Sequence, residues 1–354
     1  MPETITKLIR GDSASILPTI NPCSIQCIIA DPPYNTGRNF GHYQDKAKDW
    51  SSMMQPILTA CHALLTDTGS IWITIDSKHV HHLRCLLDDI FHPSNHMATI
   101  VWERSRGTGN DIKNGISCTN DFIVVYRKTK NVILHRLPRD NKHNAGYRYQ
   151  DDKGYYGLHA IDVPLTNLSC IYPITNPITG KQYTPVNGRS WRYNQQKMQF
   201  LIDAGMVVFG STGKAGPAIK TYLDDSKGIV PSTWWPIESA GSNQQATKEW
   251  IKLFPNMQTR FMTPKPEKLI HRILSIATLP GETVLDPFLG SGTTCAVAHK
   301  MGRQSIGIDN GEHLLTLCVP RMEKVLDGEQ GGISADVNWT GGGSFIVENK
   351  HVSE

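Results

Sequence analysis

Short runs of β-branched and aliphatic residues recur early in the chain, at Ile5–Ile9, Ile25–Ala30, Ser70–Ile75, Thr99–Trp102 and Phe122–Tyr126. Runs of this length and composition predict strands. Between them, Met53–Leu65 and His79–Ile90 set apolar residues three and four apart, the repeat of a helix with one buried face. Strands alternating with helices over residues 1–130 predict a parallel sheet covered by helices. From 131 to 262 the rhythm breaks: Asn, Gly and Pro are frequent, and Tyr147, Tyr149, Tyr155, Tyr156, Trp191, Trp234 and Trp235 are interleaved with basic and amide residues. This stretch predicts an irregular inserted domain. Over 263–354 the α/β rhythm resumes, with a helix from Pro266 to Ala277, a strand Thr283–Asp286, a helix Thr293–Lys300, a strand Ser305–Ile308 and a helix to about Leu326. A glycine-rich stretch, Gly331 to Ser344, leads to a last apolar segment at Phe345–Val347.

Composition narrows the class. With 354 residues, 39% of them hydrophobic, the chain can bury a core large enough for one α/β domain carrying an insertion. No run of about eighteen apolar residues occurs, and Met1 to Arg10 lacks the apolar segment of a secretory signal, so a soluble, cytoplasmic protein with no membrane partner is expected. The eight cysteines show no C-x-x-C pairing, which argues against a zinc site or a disulfide framework. His79, His81 and His82 do not share one helix face, so no metal is expected there. A net charge of +4 says little, but Arg127 to Arg148 holds seven Lys/Arg, Arg136, Arg139 and Lys142 among them, against the single acid Asp140. Both a solvated loop and a phosphate-binding strip fit that pattern.

Two motifs carry chemistry. In Val284-Leu-Asp286-Pro-Phe288-Leu-Gly290-Ser291-Gly292-Thr293-Thr294 a hydrophobic strand ends at an acid, a glycine turn follows, and a helix begins. Such a turn lets backbone approach an adenosyl cofactor or a phosphate at the carboxyl edge of a sheet. The spacing is neither G-x-G-x-x-G nor a Gly-Lys-Ser/Thr loop, and a second strand ends about twenty residues later at Asp309, where an acid can accept bonds from ribose hydroxyls. The second motif, Asp31-Pro32-Pro33-Tyr34, follows the strand Ile25–Ala30 directly. Two prolines stiffen the backbone and hold the acid and the aromatic in defined directions. A carboxylate and a carbonyl that accept the N–H bonds of an exocyclic base amine stabilise the positive charge developing on it during attack on a methyl sulfonium. An aromatic ring beside them can stack on an extruded base.

These residues resemble the β-group of amino-methyltransferases acting on DNA, in which the catalytic half precedes the cofactor half. The similarity extends from Asp31-Pro-Pro-Tyr-Asn-Thr-Gly37 to Ser70–Asp76, Asn120–Tyr126, Tyr172–Gly180, Gly188–Trp191, Pro264–Leu269 and Gly343–Val347, and together these segments resemble modification subunits of type III restriction systems and their stand-alone relatives. The resemblance implies a permuted, doubly wound α/β methyltransferase sheet dependent on S-adenosylmethionine, its halves at 1–130 and 263–354 and its target-recognition domain at 131–262. It implies that Asp286, Phe288, Gly290, Ser291, Gly292, Thr293 and Asp309 line the cofactor pocket, with Lys265 and Pro266 opening a helix beside it and Asp12 facing the adenine. A helix N-cap is the other reading of Asp12. The implied partner is double-stranded DNA, flipped at the target base, with a homodimer one possible assembly. The chain is shorter than a typical type III modification subunit and reads Pro-Phe-Leu where those more often read Phe-Phe-Ala, so the expectation does not extend to a restriction subunit.

Adenine N6 is the expected target amine, because relatives acting on cytosine N4 often carry Ser before Pro-Pro-Tyr. Cytosine N4 stays open, since the chemistry serves both amines, and so does a non-catalytic DNA-binding module that kept the fold. Against the latter stand an intact Asp31 and Tyr34.

Overall fold

Every residue of β2 (Ile25–Ala30) is buried. A strand buried on both faces belongs in the middle of a sheet covered by helices. The computed structural model describes residues 4–35, 49–107, 116–210, 213–225, 227–256 and 261–350, and divides into two compact units, one of Met1–Arg136 with Val230–Glu354 and one of Leu137–Ile229.

The first unit is built on a nine-stranded sheet. Its strands are β1 (Ile5–Arg10), β2, β3 (Leu65–Ile75), β4 (His96–Glu103), β5 (Asn120–Arg127), β6 (Trp234–Trp235), β7 (Thr283–Asp286), β8 (Gln304–Asp309) and β9 (Ser344–Asn349). Their order is β6-β4-β5-β3-β2-β7-β8-β1-β9. Strand β5 is antiparallel to both neighbours and every other pairing is parallel. The sheet is therefore mixed where a parallel one was expected, because apolar periodicity carries no sign of strand direction. The order also shows the permutation: β2 of the first half lies against β7 of the last, through Cys27 with Val284 and Ile28 with Leu285.

One-turn α1 (Ser13–Ile16) and helices α2 (Trp50–Leu64) and α3 (Val80–Phe91) belong to the first half; α4 (Asn243–Leu253), α5 (Glu267–Ala277), α6 (Thr293–Lys300) and α7 (Val319–Leu326) follow the second unit in sequence. Packing of α2 and α3 on the sheet joins Met54, Leu58, Leu83 and Leu87 with Ile28, Ile71 and Ile73 in one core. Among the described residues no helix is long and apolar enough to cross a membrane.

The stretch read as 131–262 divides in the structure: Leu137–Ile229 forms the second unit, while Val230–Met262 belongs with the first. There Trp234 and Trp235 extend the sheet beside Val101 and Trp102, and Trp102 donates from Nε1 to the Gly241 carbonyl at 2.9 Å. Sequence composition hides this, because a two-residue strand shows no period. The second unit has a four-stranded antiparallel sheet, in the order Val207–Val208, Ala218–Tyr222, Gly154–Ala160, Tyr149–Asp151, over a core that includes Ile161, Trp191, Met198 and Phe209.

Candidate active site

The carboxyl ends of β2, β3, β7 and β8 lie side by side, the position at which α/β sheets open a crevice. A cavity of about 420 Å³ is found there. Asp12, Asp31, Pro33, Lys265, Asp286, Phe288, Gly290, Ser291, Thr293 and Asp309 line it, so residues up to 297 positions apart converge. Four carboxylates, Asp12, Asp31, Asp286 and Asp309, face one lysine in this lining.

Asp31 follows the last residue of β2. Its Oδ1 accepts from Thr74 Oγ1 at 2.5 Å and from the Tyr34 hydroxyl at 3.0 Å, while Oδ2 pairs with Lys265 Nζ. Burial, then the negative Asp31, push the Tyr34 phenol well above its usual range, so the hydroxyl keeps its proton and donates. Pro32 is buried, and the Pro33 carbonyl accepts from Trp50 Nε1 at 2.6 Å, which ties the motif to α2. Pro32 and Tyr34 are not among the lining residues; Tyr34 packs instead against the core, with Lys265 Nζ 5.4 Å from its ring centre. Asn35, at φ 53°, turns the chain in a conformation that Asn tolerates, and Thr36 and Gly37 lie outside the described residues.

The glycine turn is built for close approach. Gly290 has φ 52°, and a Cβ there would come within 3.1 Å of the Phe261 ring; Gly292, at φ 76°, starts α6 and would press its Cβ on Cys318. Asp309 spans the turn, with Oδ2 accepting from Gly290 N at 2.9 Å and Oδ1 from Gly311 N at 2.9 Å. Asp286 is 4% exposed, and burial pushes its carboxyl up to about 7 against the bonds from Thr294 and from Phe288 N that favour its charged form. Asp12 caps α1, its Oδ2 accepting from Ser15 N at 3.0 Å, and the residue also lines the cavity.

A buried ion cluster supports the turn from behind. Arg321 donates to the Ser291 carbonyl at 3.1 Å, to Thr293 Oγ1 at 2.8 Å and to Glu267 at 2.9 Å, and Glu267 also accepts from Lys300 at 2.8 Å. Pro266 caps α5 directly after Lys265, whose carbonyl accepts from Thr293 Oγ1 at 3.2 Å.

Sequence reasoning passed over several lining residues, notably Ser13, Met53, Thr74, Phe261, Asn310 and His313. Thr74 had a signal, since it sits one residue before the end of a strand at the carboxyl edge. Phe261 had none, lying in an irregular stretch.

The basic residues stand apart from this cavity's lining. Arg136 is exposed at the end of the first unit's opening segment. In the second unit Lys142 is exposed, but Arg139 donates to Asn144 Oδ1 at 2.9 Å and to the His143 carbonyl at 2.5 Å and covers the Tyr147 ring at 4.9 Å. Its guanidinium is committed to its own loop.

Comparison with known proteins identifies the family and the fold. The sequence profile of the family described as DNA methylase matches residues 25–319. The chain is 29% identical over 379 residues to a Haemophilus influenzae protein described as the probable type III restriction-modification enzyme HindVI Mod subunit, covering 91% of this chain and 50% of that protein. It is 28% identical over 334 residues to the type III restriction-modification enzyme StyLTI Mod subunit of Salmonella typhimurium, covering 83% and 49%. The chain thus spans about half the length of these relatives. Among solved structures, the cytosine-N4-specific PvuII DNA methyltransferase superposes with a TM-score of 0.52 at 14% identity, over 97% of this chain and 96% of that one, which shows a shared fold.

Proposed function

We propose that this chain, which belongs to the DNA methylase family, transfers a methyl group from S-adenosylmethionine to the exocyclic N6 amine of adenine in double-stranded DNA. The observation that carries the reading is the placement of Asp31, held by Thr74 and Tyr34, in the same acid-lined cavity as the glycine turn and Asp309.

Four carboxylates against one lysine suit a ligand with cationic groups, and S-adenosylmethionine carries a sulfonium and an ammonium. Asp309, fixed by Gly290 N and Gly311 N, keeps lone pairs for ribose hydroxyls, while Phe288 and Leu289 offer apolar surface to the adenine. The cofactor, once bound, supplies an electrophilic methyl. Asp31 and the Pro32 carbonyl accept the two N–H bonds of the target amine, the Pro33 carbonyl being taken by Trp50 Nε1, and this weakens conjugation of the amine lone pair with the ring. With the methyl delivered to the amine nitrogen and the sulfur leaving as a neutral thioether, Asp31 would stabilise the positive charge growing on nitrogen and accept the surplus amine proton, which would then pass to water. Tyr34, with its hydroxyl anchored on Asp31, steadies the pocket that receives the base.

Adenine rather than cytosine rests on the Asp that opens the Pro-Pro-Tyr motif and on likeness to Mod subunits. Leu137–Ile229 is the recognition domain in this reading, acting on DNA in the cytoplasm. Arg136 and Lys142 bind phosphates, with Arg139 shaping the loop that presents Lys142. Gln at all three positions lowers affinity for every DNA sequence and makes the slope of log affinity against log salt shallower by roughly 1 for each phosphate that is no longer neutralised. An unchanged slope removes these side chains from phosphate binding.

The reading is tested by incubating the protein with DNA and S-adenosylmethionine labelled on its methyl. Label enters DNA, and Asp309→Ala weakens the cofactor by about 1.5–3 kcal/mol in a calorimetric titration. DNA that takes up no label contradicts the assignment, and an unaltered cofactor affinity removes Asp309 from it.

A further inference from the structure

Two consecutive prolines leave the segment from Asp31 to Tyr34 few ways of being held. Neither Pro32 nor Pro33 has an N–H, so the backbone can be anchored there only through its carbonyls. The two rings fix φ at both positions, and the proline that follows each of Asp31 and Pro32 restricts ψ there. The first soft torsion of the segment is therefore ψ of Pro33, which turns the Pro33 carbonyl and sets the direction in which Tyr34 leaves.

A side chain holds that torsion. Trp50 Nε1 donates to the Pro33 carbonyl at 2.6 Å. Trp50 is 5% exposed and opens α2, whose cap Asp49 accepts from Ser52 N at 3.1 Å. Its ring lies 5.7 Å, centre to centre, from that of His79, which precedes α3 and donates from N to Asp76 Oδ1 at 3.0 Å. The donor is thus backed by the starts of two helices. Met53 and Ile57 of α2 line the cavity, but Trp50 is not among the lining residues. An indole N–H buried here without an acceptor would cost free energy, which favours keeping the bond.

The bond has two effects on the motif. Tyr34 leaves Pro33 on a path that returns its hydroxyl to Asp31 Oδ1 at 3.0 Å, so both ends of the segment are tied. With the Pro33 carbonyl occupied, the Pro32 carbonyl is the one left for a target amine. We propose that Trp50 is a positioning residue of the methyl transfer: its indole N–H fixes the peptide after Pro33, and through it the paired acceptors, Asp31 and the Pro32 carbonyl, that receive the amine. The proposal rests on the methyltransferase reading above.

The experiment compares wild type with two variants. Trp50→Phe keeps an aromatic ring and loses the donor; benzothienylalanine placed at position 50 keeps the shape of the indole, with sulfur where the N–H was. Single-turnover transfer is read with enzyme in excess over genomic DNA from a methylation-free host, at saturating methyl-labelled S-adenosylmethionine, and calorimetry gives the affinity for the cofactor. Both variants transfer methyl groups roughly ten- to a hundredfold more slowly, the loss that slack on the order of an ångström at a reacting group produces. Their cofactor affinity stays at the wild-type value, because no residue lining the cavity has changed. If Trp50→Phe fails to fold, the benzothienyl variant decides alone. Transfer at the wild-type rate by that variant overturns the proposal, since Trp50 then only fills space. A loss of rate matched by an equal weakening of the cofactor overturns it too, since the site is then disturbed as a whole. A wild-type chain that labels no DNA overturns the methyltransferase reading itself, and the proposal falls with it; that failure shows in the wild type and is distinct from the other two.

Discussion

Asp31→Ala keeps the fold and binds S-adenosylmethionine nearly as well as wild type, but transfers methyl groups at least about a hundredfold more slowly. The reason is that Asp31 acts on charge that appears only in the transition state. Deleting one preorganised partner of a developing charge costs roughly 3 kcal/mol or more, and each 1.36 kcal/mol is about a factor of ten in rate. Cofactor affinity is spared because the acids closest to the glycine turn, Asp286 and Asp309, remain. Single-turnover methylation under saturating cofactor is the measurement, and a rate within a few-fold of wild type removes Asp31 from its role.

Glu267→Ala has its largest effect on stability. Glu267 is 3% exposed and accepts from Lys300, Arg321 and Ile333 N, so its loss takes from buried Arg321 the acid it bonds and leaves buried Lys300 paired with Glu329 alone. Breaking a buried ion pair on one side costs about 3–5 kcal/mol, which in a chain of this size lowers Tm by roughly 4–7 °C. The same substitution releases Arg321 from one of its ties behind Ser291 and Thr293, so cofactor affinity falls with stability. The pH dependence has a definite sign. Burial by itself raises the Glu267 carboxyl, but Arg321 and Lys300 outweigh it and hold the group below its ordinary value. An acid whose folded value is depressed contributes stability that is present above its unfolded value and is lost as pH falls through the folded one. Wild type and Glu267→Ala are therefore furthest apart in Tm at neutral pH and converge as the pH falls below the ordinary Glu range. Melting curves at pH 7 and pH 4 decide this, and a constant gap contradicts it.

Much of the fold can be read from local patterning because its strands are short, apolar and closed by acids or prolines. The bounds of β2 and β7 coincide with their apolar runs, and Asp31 and Asp286 mark the ends that face the cavity. Strand β3 starts at Leu65, ahead of the apolar run from Ser70, because Thr66 and Thr68 donate to Gln26 Oε1 at 2.7 and 3.0 Å and so extend the strand with polar residues. No count of apolar positions anticipates that pairing. The reversed direction of β5 and the assignment of Trp234–Trp235 to the main sheet are settled by long-range pairing, which periodicity does not register.

The site divides in the same way. Motif spacing pointed to the glycine turn, Asp309 and Asp31 of the candidate cavity, since each lies at a local strand-to-turn device, while Pro32 and Tyr34 of the same motif are not in its lining. Lys265 entered the reading through resemblance as a cofactor residue, while its ion pair with Asp31 joins positions 234 apart and only the folded chain displays it. Arg139 shows the reverse case: charge counting grouped it with Arg136 and Lys142, but its neighbours Asn144 and Tyr147 occupy it.

The central claim is that the cavity around Asp31 methylates adenine at N6 in DNA. Nucleoside mass spectrometry of DNA from a methylation-free host expressing the chain tests it most directly, with Asp31→Ala as the control. N6-methyladenine in the wild-type sample and its absence from the control is the predicted result. N4-methylcytosine as the only new nucleoside contradicts the choice of amine, and no modified nucleoside in either sample contradicts the claim as a whole.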